Sequence, residues 1–438
     1  MNIKKKTTEN SISRRDFIKA TSTASLAAMI SGTGILFAGG SDKIRVGLIG
    51  CGGRGTGAAI DCVNSSPNVV ITAMGDLFID HLENSLKNLT EKLKKENLSV
   101  SRDTCFSGFD AFKKVLACDV DLVILAAPPH FRPEHLKAAV EAGKHIFMEK
   151  PVAVDPLGVH SIIDSSKLAE QKGLAIVAGT QRRHQDHYLE IMKRVRNNDI
   201  GEIVSGQCYW NMGALWVERA RQNWIDRKTK GWSDMEWHIR NWLFLTWLSG
   251  DHIVEQHMHN LDVINWAIGS HPVKCSGMGG RQVRTAPEYG NIFDHFAIEY
   301  EYPNGARVMS MCRQTEGCSN NVSERVIGTK GLAYTDGANG YIHGAKAYKY
   351  EGQSPNPYVQ EHADLIASIR EGKPLNEGIR IAESTLTAIM GRMSAYTGRA
   401  LKWDWVMNAS KLDLSPPRYE MSELPVRPVA VPGKTALI

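Results

Sequence analysis

Gly50, Gly52 and Gly55 stand in the spacing G-x-G-x-x-G directly after the apolar positions Ile44, Val46, Leu48 and Ile49. The first glycine of such a set allows a tight strand-to-helix turn. The second lets backbone approach a pyrophosphate, and the third lets helix pack on strand. With Gly53 and Arg54 they form a turn that could seat a dinucleotide, and a helix over Thr56–Val63 would point its positive end at the phosphates. A β-type run, Asn68–Gly75, follows and ends on Asp76, where an acid would take the ribose hydroxyls of NAD. No Arg or Lys stands in the next few positions, so NADP, with its 2′-phosphate, is disfavoured. Further on, Glu149-Lys150-Pro151 follows a short strand-like run. A lysine at a sheet's carboxyl edge, beside nicotinamide, could hold a substrate hydroxyl and ease its proton off as hydride leaves. Burial beside a cationic ring would lower its pKa towards a useful range. The same three residues would also suit a surface turn.

Two more groups could do chemistry. Gly250–His259 places Glu255, His257 and His259 close together, with His252 nearby. A metal site is one reading. On a single helix, however, His257 points away from the face shared by Glu255 and His259, so only two good ligands remain and no metal is expected. Histidines satisfied inside a packed helix are the plain alternative. Seven of the ten tryptophans lie between Trp210 and Trp247. Flat indoles suit sugar C–H surfaces and can donate N–H bonds to hydroxyls. Trp210 is a candidate substrate contact, although core packing accounts for many of the seven equally well.

The elements that must position these residues read as two domains, the natural expectation for 438 residues. From Lys43 onward strand and helix alternate. Val120–Ala126 is a continuous apolar run of the kind buried on both faces of a parallel sheet, and it leads into Ala127-Pro128-Pro129-His130. Pockets in such sheets open beyond the carboxyl ends of the strands, where Asp76, Pro128, His130, Glu149 and Lys150 fall. From about Ser205 helices become sparse and longer strands appear, with Pro303-Asn304-Gly305 as a hairpin turn. The expected fold is α/β: a Rossmann domain over 41–178, then an α+β domain over 179–407 with a large, mostly antiparallel open sheet. Residues 408–438 carry five prolines and read as an extended arm.

The net charge of +5 is misleading, because residues 1–40 hold six basic side chains against two acidic ones and leave a body near +1. A nearly neutral body gives no case for nucleic acid. Ser13-Arg14-Arg15-Asp16-Phe17-Ile18-Lys19, followed by a modestly apolar stretch to Ala38, has the form of a twin-arginine signal, with cleavage expected before Ser41. Periplasmic export follows, with the twin-arginine machinery as partner. No cysteine between residues 20 and 45 would carry a lipid anchor, and no later stretch would span a bilayer. The eight cysteines show no C-x-x-C pairing, and most are expected to be buried, unpaired small apolar residues.

The set Ala127-Pro128, His135, Ala142-Gly143-Lys144-His145 and Glu149-Lys150-Pro151, placed after the glycine turn, resembles the glucose–fructose oxidoreductase/inositol dehydrogenase (Gfo/Idh/MocA) family. The likeness runs from about Lys43 to residue 405 and is strongest in the first 150 residues. It implies an N-terminal Rossmann domain for NAD(P) and a C-terminal open sheet that supplies the sugar site and often an oligomer interface, so a dimer or tetramer is expected. On the matching positions it implies Lys150 as catalytic and His259 as the proton-relay histidine. Glu255 stands where the family keeps an Asp, and His257 where it keeps a glycine. The longer Glu255 could still orient His259 from one helical turn away. The resemblance also places Gln181 and Arg183 at the cleft, while a surface charge suits Arg182 as well. The activity implied is NAD-dependent oxidation of a secondary hydroxyl of a sugar or glycoside. Because no nicotinamide pool exists outside the cytoplasm, the cofactor would be held tightly and recycled in place. A branch similar to this family cleaves glycosides by transient oxidation and elimination, but its Tyr-Pro-Thr-His-Gly type of signature is missing after Gly250. A non-catalytic sugar-binding protein would need Lys150 or His259 to be lost, and both are present.

Overall fold

The computed structural model describes residues 42–438, so the signal expected over 1–40 lies outside the described residues. Six strands form the first sheet: β1 (Ile44–Ile49), β2 (Val69–Asp76), β3 (Cys105–Ser107), β4 (Leu122–Leu125), β5 (His145–Met148) and β6 (Ile176–Ala178). Their order is β3-β2-β1-β4-β5-β6 and every pair is parallel. The order reverses between β1 and β4, which opens a crevice beyond their carboxyl ends. All four residues of β4 are buried. Ile124 packs into one apolar core and Val123 and Leu125 into another, so the sheet is covered on both faces. One of those covers comes from far along the chain: helix Pro357–Arg370 sets Leu365, Ile366 and Ile369 into the core beneath helix Gly53–Ser65.

The second sheet has nine strands: β7 (Ile203–Met212), β8 (Lys274–Gly280), β9 (His295–Glu301), β10 (Arg307–Gln314), β11 (Asn321–Gly328), β12 (Gly331–Asp336), β13 (Gly340–Gly344), β14 (Tyr348–Lys349) and β15 (Leu401–Lys402). Its order is β14-β13-β12-β11-β7-β10-β9-β8-β15, antiparallel except for the pair β7 and β10. Burial alternates residue by residue along β10, the mark of a sheet with one packed face and one open face. Helices Met258–Ile268 and Gly378–Thr397 cover the packed face. The β9–β10 turn falls on the hairpin residues, with Gly305 at φ +83°, a value that glycine adopts without strain.

Two expectations need correction. Helices are not sparse after Ser205: Val217–Thr229, Asp234–Arg240, Thr246–Ser249, His252–Glu255 and Met258–Ile268 all lie between β7 and β8. In helix Val217–Thr229 only Ala220 is fully buried, so it carries no apolar stripe for periodicity to reveal. Arg182 is not a surface charge but a buried one. The eight cysteines are all unpaired; five are buried and Cys318 is exposed. The segment after Asn408 forms no helix or strand and lies across other parts of the molecule, the Leu414 and Leu424 N–H groups donating to Asp155 and Asp234.

Candidate active site

The glycine turn leaves β1 and enters helix Gly53–Ser65 at the crevice. Gly50 sits at φ +97°, and a Cβ there would come within 2.4 Å of the Ala127 nitrogen. A Cβ on Gly55 would lie 1.9 Å from the Gly50 carbonyl oxygen, so strand and helix meet only because it is absent. Over Gly52 and Gly53 there is open space instead. Asp76 closes the far side. Its carboxylate accepts from the Cys51 N–H at 2.6 Å and the Phe78 N–H at 2.9 Å, and His81 lies 3.5 Å away. These bonds fix the carboxylate and leave acceptor sites for ribose hydroxyls. The groove between spans about 1040 Å³, part of it open to solvent. Of the residues expected to hold the cofactor, Gly50, Gly52, Gly53, Arg54, Gly55, Asp76, Ala127, Pro128 and His135 line it. Phe78, Phe109, Phe112 and Phe131 add aromatic walls that the sequence did not single out. An open glycine cradle and a fixed acid fit NAD.

Beneath the turn lies a charge network. The Arg54 guanidinium donates to Glu149 at 2.5 Å and to Glu361 at 3.1 Å, with Asp61 at 3.4 Å. The Arg54 charge is thus shared among carboxylates, with Glu149 one of its partners. Glu361, fully buried, is pushed well above the usual carboxylate range by burial and by the Glu149 charge. Arg132, also buried, donates to the Ala127 carbonyl at 2.5 Å and to the Pro151 carbonyl at 2.8 Å. It ties the loop after β4 to the turn holding Lys150. Burial lowers its pKa to about 10.

Lys150 leaves the carboxyl end of β5 and reaches into the second domain. Its Nζ donates to Glu255 Oε1 at 2.9 Å and to the Glu255 carbonyl at 2.5 Å. The helix expected to carry both Glu255 and His259 is broken: one short helix ends at Glu255 and the next starts at Met258. Glu255 thus orients Lys150, not His259. His259 is buried, and burial together with the Lys150 charge holds its pKa well below the ordinary histidine value, so the ring is neutral. Trp210 stacks near it, with ring centres 5.9 Å apart.

Other candidates stand elsewhere. His257 is sealed in the core, sharing a hydrogen bond with Ser310 Oγ at 2.7 Å. Among the described residues no three His, Cys, Asp or Glu side chains cluster as metal ligands would. His130 bonds Tyr419 at 2.7 Å and packs edge-on to Trp247 rather than lining the groove. Gln181 reaches Tyr358 at 3.4 Å. Arg183 is paired with Asp262 at 2.8 Å and lies over Trp266. Its neighbour Arg182 is paired at 2.5 Å with buried Glu324, between Tyr188 and Trp210. No local pattern in the sequence marks these long-range partners.

Fold and site together define a two-domain oxidoreductase that binds a nicotinamide dinucleotide. The chain belongs to the Gfo/Idh/MocA oxidoreductase family. Residues 44–180 match the family's NAD-binding Rossmann fold and residues 188–334 its C-terminal domain. It is 27% identical over 337 residues to 2,7-anhydro-N-acetylneuraminate hydratase of Escherichia coli (strain K12), spanning 76% of this chain and 77% of that one. A glycosyl hydrolase family 109 protein of Shewanella amazonensis is 27% identical over 191 residues, 43% of this chain and 39% of that protein. Levoglucosan dehydrogenase, solved with NADH and levoglucosan, has a similar fold: TM-score 0.65 at 16% identity, over 82% of this chain and 99% of that one.

Proposed function

We propose that this protein is an exported, NAD-dependent oxidoreductase acting on a secondary hydroxyl of a sugar or glycoside, with a tightly held cofactor recycled in place. The observation that carries this reading is the meeting of Lys150, Glu255 and His259 beyond β5, on the same edge of the first sheet as the glycine turn. Bound NAD+ supplies the two-electron hydride acceptor. Glu255 aims the Lys150 ammonium, which can hold the substrate oxygen by hydrogen bonding. His259, neutral, can take the hydroxyl proton as the C–H electrons leave, so that an alcohol becomes a ketone and one proton passes to the protein. Trp210 offers a flat apolar face beside that imidazole for a sugar ring.

A second reading is favoured by the relatives' names. Hydration and hydrolysis change no net oxidation state, so an NAD-binding fold that carries them out must take a hydride and return it. Oxidation at C3 acidifies the C2–H; loss of that proton expels the group on C1; water adds, and the hydride goes back. Incubation with a nitrophenyl glycoside and a panel of free sugars separates the two. Net dehydrogenation raises absorbance at the reduced-nicotinamide band, whereas the elimination cycle releases nitrophenol with no net NADH. No response to any sugar, with NAD bound, would leave only a sugar-binding role.

Ser13–Lys19 supports export through the twin-arginine route to the periplasm. Val204, Met278, Met309 and Met311, exposed on strands of the second sheet, support a homo-oligomer through that sheet.

A further inference from the structure

The nucleotide groove has a roof that the first domain does not supply. Trp216, Arg219, Ile239 and Trp242, from the helical stretch between β7 and β8, line the same groove as Gly50, Gly52 and Asp76. Arg219 also borders the adjoining hollow formed by Cys51, Gly52, Gly53 and Ser85, so it reaches both hollows that flank the glycine turn.

Three observations set this stretch apart. First, it is bolted down: the Arg240 guanidinium makes a two-pronged pair with Asp80 at 2.9 and 3.0 Å and lies 3.8 Å over the Phe78 ring, just after the ribose-binding end of β2. Second, Trp216 stands at φ 56°, a left-handed conformation that a bulky side chain rarely adopts, with its ring edge-on to Trp242 at 5.7 Å and under Arg219 at 5.1 Å. Third, the neighbouring arginines Arg221, Arg227 and Arg240 each find a carboxylate, in Glu218, Asp234 and Asp80. Among the described residues Arg219 has none. Burial and the Arg240 charge both bear against its charged form, with no carboxylate to counter them.

We propose that the stretch from Trp216 to Trp242 is a clasp over bound dinucleotide, in which Arg219 is the counter-ion of the pyrophosphate. This rests on the groove being the NAD site and extends it: the cofactor becomes a resident group. The glycine turn offers N–H groups and a helix end to two negative charges, and the Arg54 charge below it is shared among carboxylates. A planar guanidinium can take two phosphate oxygens at once, and an aromatic rim strengthens that pairing by excluding water. Release then requires the clasp to lift, which slows the off-rate.

The test uses the full chain, stripped of nucleotide, with NAD, NADP, ADP-ribose and adenosine as probes and binding followed by calorimetry and tryptophan fluorescence. Arg219→Gln should weaken NAD and ADP-ribose by the same factor, about 10- to 100-fold, the scale of one charge-assisted bond. It should leave adenosine, which has no pyrophosphate, unchanged, and Arg219→Lys should recover part of the loss. Asp80→Asn, which frees the bolt, should speed both loading and release. Equal ADP-ribose affinity in Arg219→Gln overturns the assignment. So does an equal loss for adenosine, which would mean stacking on the base, or a loss confined to NADP, which would mean a 2′-phosphate contact. If the unaltered protein binds none of the four probes, the NAD reading of the groove falls as well, so the two failures are distinguishable.

Discussion

At the end of the cleft around Lys150 most cations are matched by carboxylates within the protein, Lys150 by Glu255, Arg182 by Glu324 and Arg183 by Asp262, while buried Arg132 is held by backbone carbonyls. At the nucleotide end the walls are Phe78, Phe109, Phe112, Trp216 and Trp242, and among the described residues Arg219 meets no carboxylate. The difference follows from what each end must do. Groups that must hold a proton donor to fractions of an ångström need fixed partners, and internal charge pairs supply them at the expense of desolvation. A site that awaits an anion keeps its donors open, because a carboxylate nearby would compete with the phosphate.

If the two ends are separate in this sense, Lys150→Ala should remove chemistry and spare cofactor binding. Turnover should fall by about 10²- to 10⁴-fold, the range for a lost general acid–base group, while NAD content measured after acid release stays at the level of the unaltered protein. Loss of NAD in step with activity would join the two ends and break the contrast. The next effect is on stability. Arg54→Met leaves Glu149 and buried Glu361 facing each other without a cation. Breaking a fully buried pair costs about 3–5 kcal/mol; with the Arg54 side chain 37% exposed, about 2–3 kcal/mol by urea denaturation is expected. Glu361→Gln in the same chain should return part of it, since one carboxylate is then gone. No coupling between the two substitutions would mean that the network is not shared.

How far the sequence could be read follows the same division. The dinucleotide floor is local: a strand, three glycines and an acid twenty-odd residues on are close in the chain, so spacing alone placed Gly50, Gly52, Gly55 and Asp76 on one groove. Lys150 was legible because it directly follows a strand. The partners of Arg54 and Arg183 lie far away in the chain, at Glu361 and Asp262, and no periodicity predicts which acid meets which base. The link from Glu255 to His259 was misread for another reason. Their spacing fits one helix, but the chain breaks at Gln256 and His257, where Gln256 is held instead by a side-chain bond from buried Gln314. The roof was obscured by its own composition: tryptophans and arginines on an exposed helix mimic either a sugar site or a packed loop.

A smaller change tests how Glu255 works. Glu255→Asp restores the residue type the family usually carries, but shortens the reach to Lys150. Turnover is expected to fall by no more than about tenfold, against about 10²-fold or more for Glu255→Ala, because the charge partner is kept at a longer distance. Equal losses in the two variants would mean that length, not charge, holds the ammonium. The split should appear in kcat, with KM for sugar nearly constant.

The mildest effect probes whether a buried imidazole beside Lys150 takes a proton in the folded state. His257 is sealed in the core, with no carboxylate partner among the described residues. Burial first, then the neighbouring His252, pushes its pKa to about 3. In the unfolded chain the value is about 6.5. Between those two values the unfolded state binds a proton and the folded state does not. Stability from this residue is therefore complete above about pH 6.5 and is lost progressively as the pH falls towards 3. His257→Gln can keep the bond to Ser310 and cannot titrate. Its unfolding free energy from urea denaturation should match the unaltered protein within about 1 kcal/mol at pH 7 and fall less steeply from pH 7 to pH 4, by about one proton's worth of slope. Identical slopes would mean that His257 accepts a proton in the folded state.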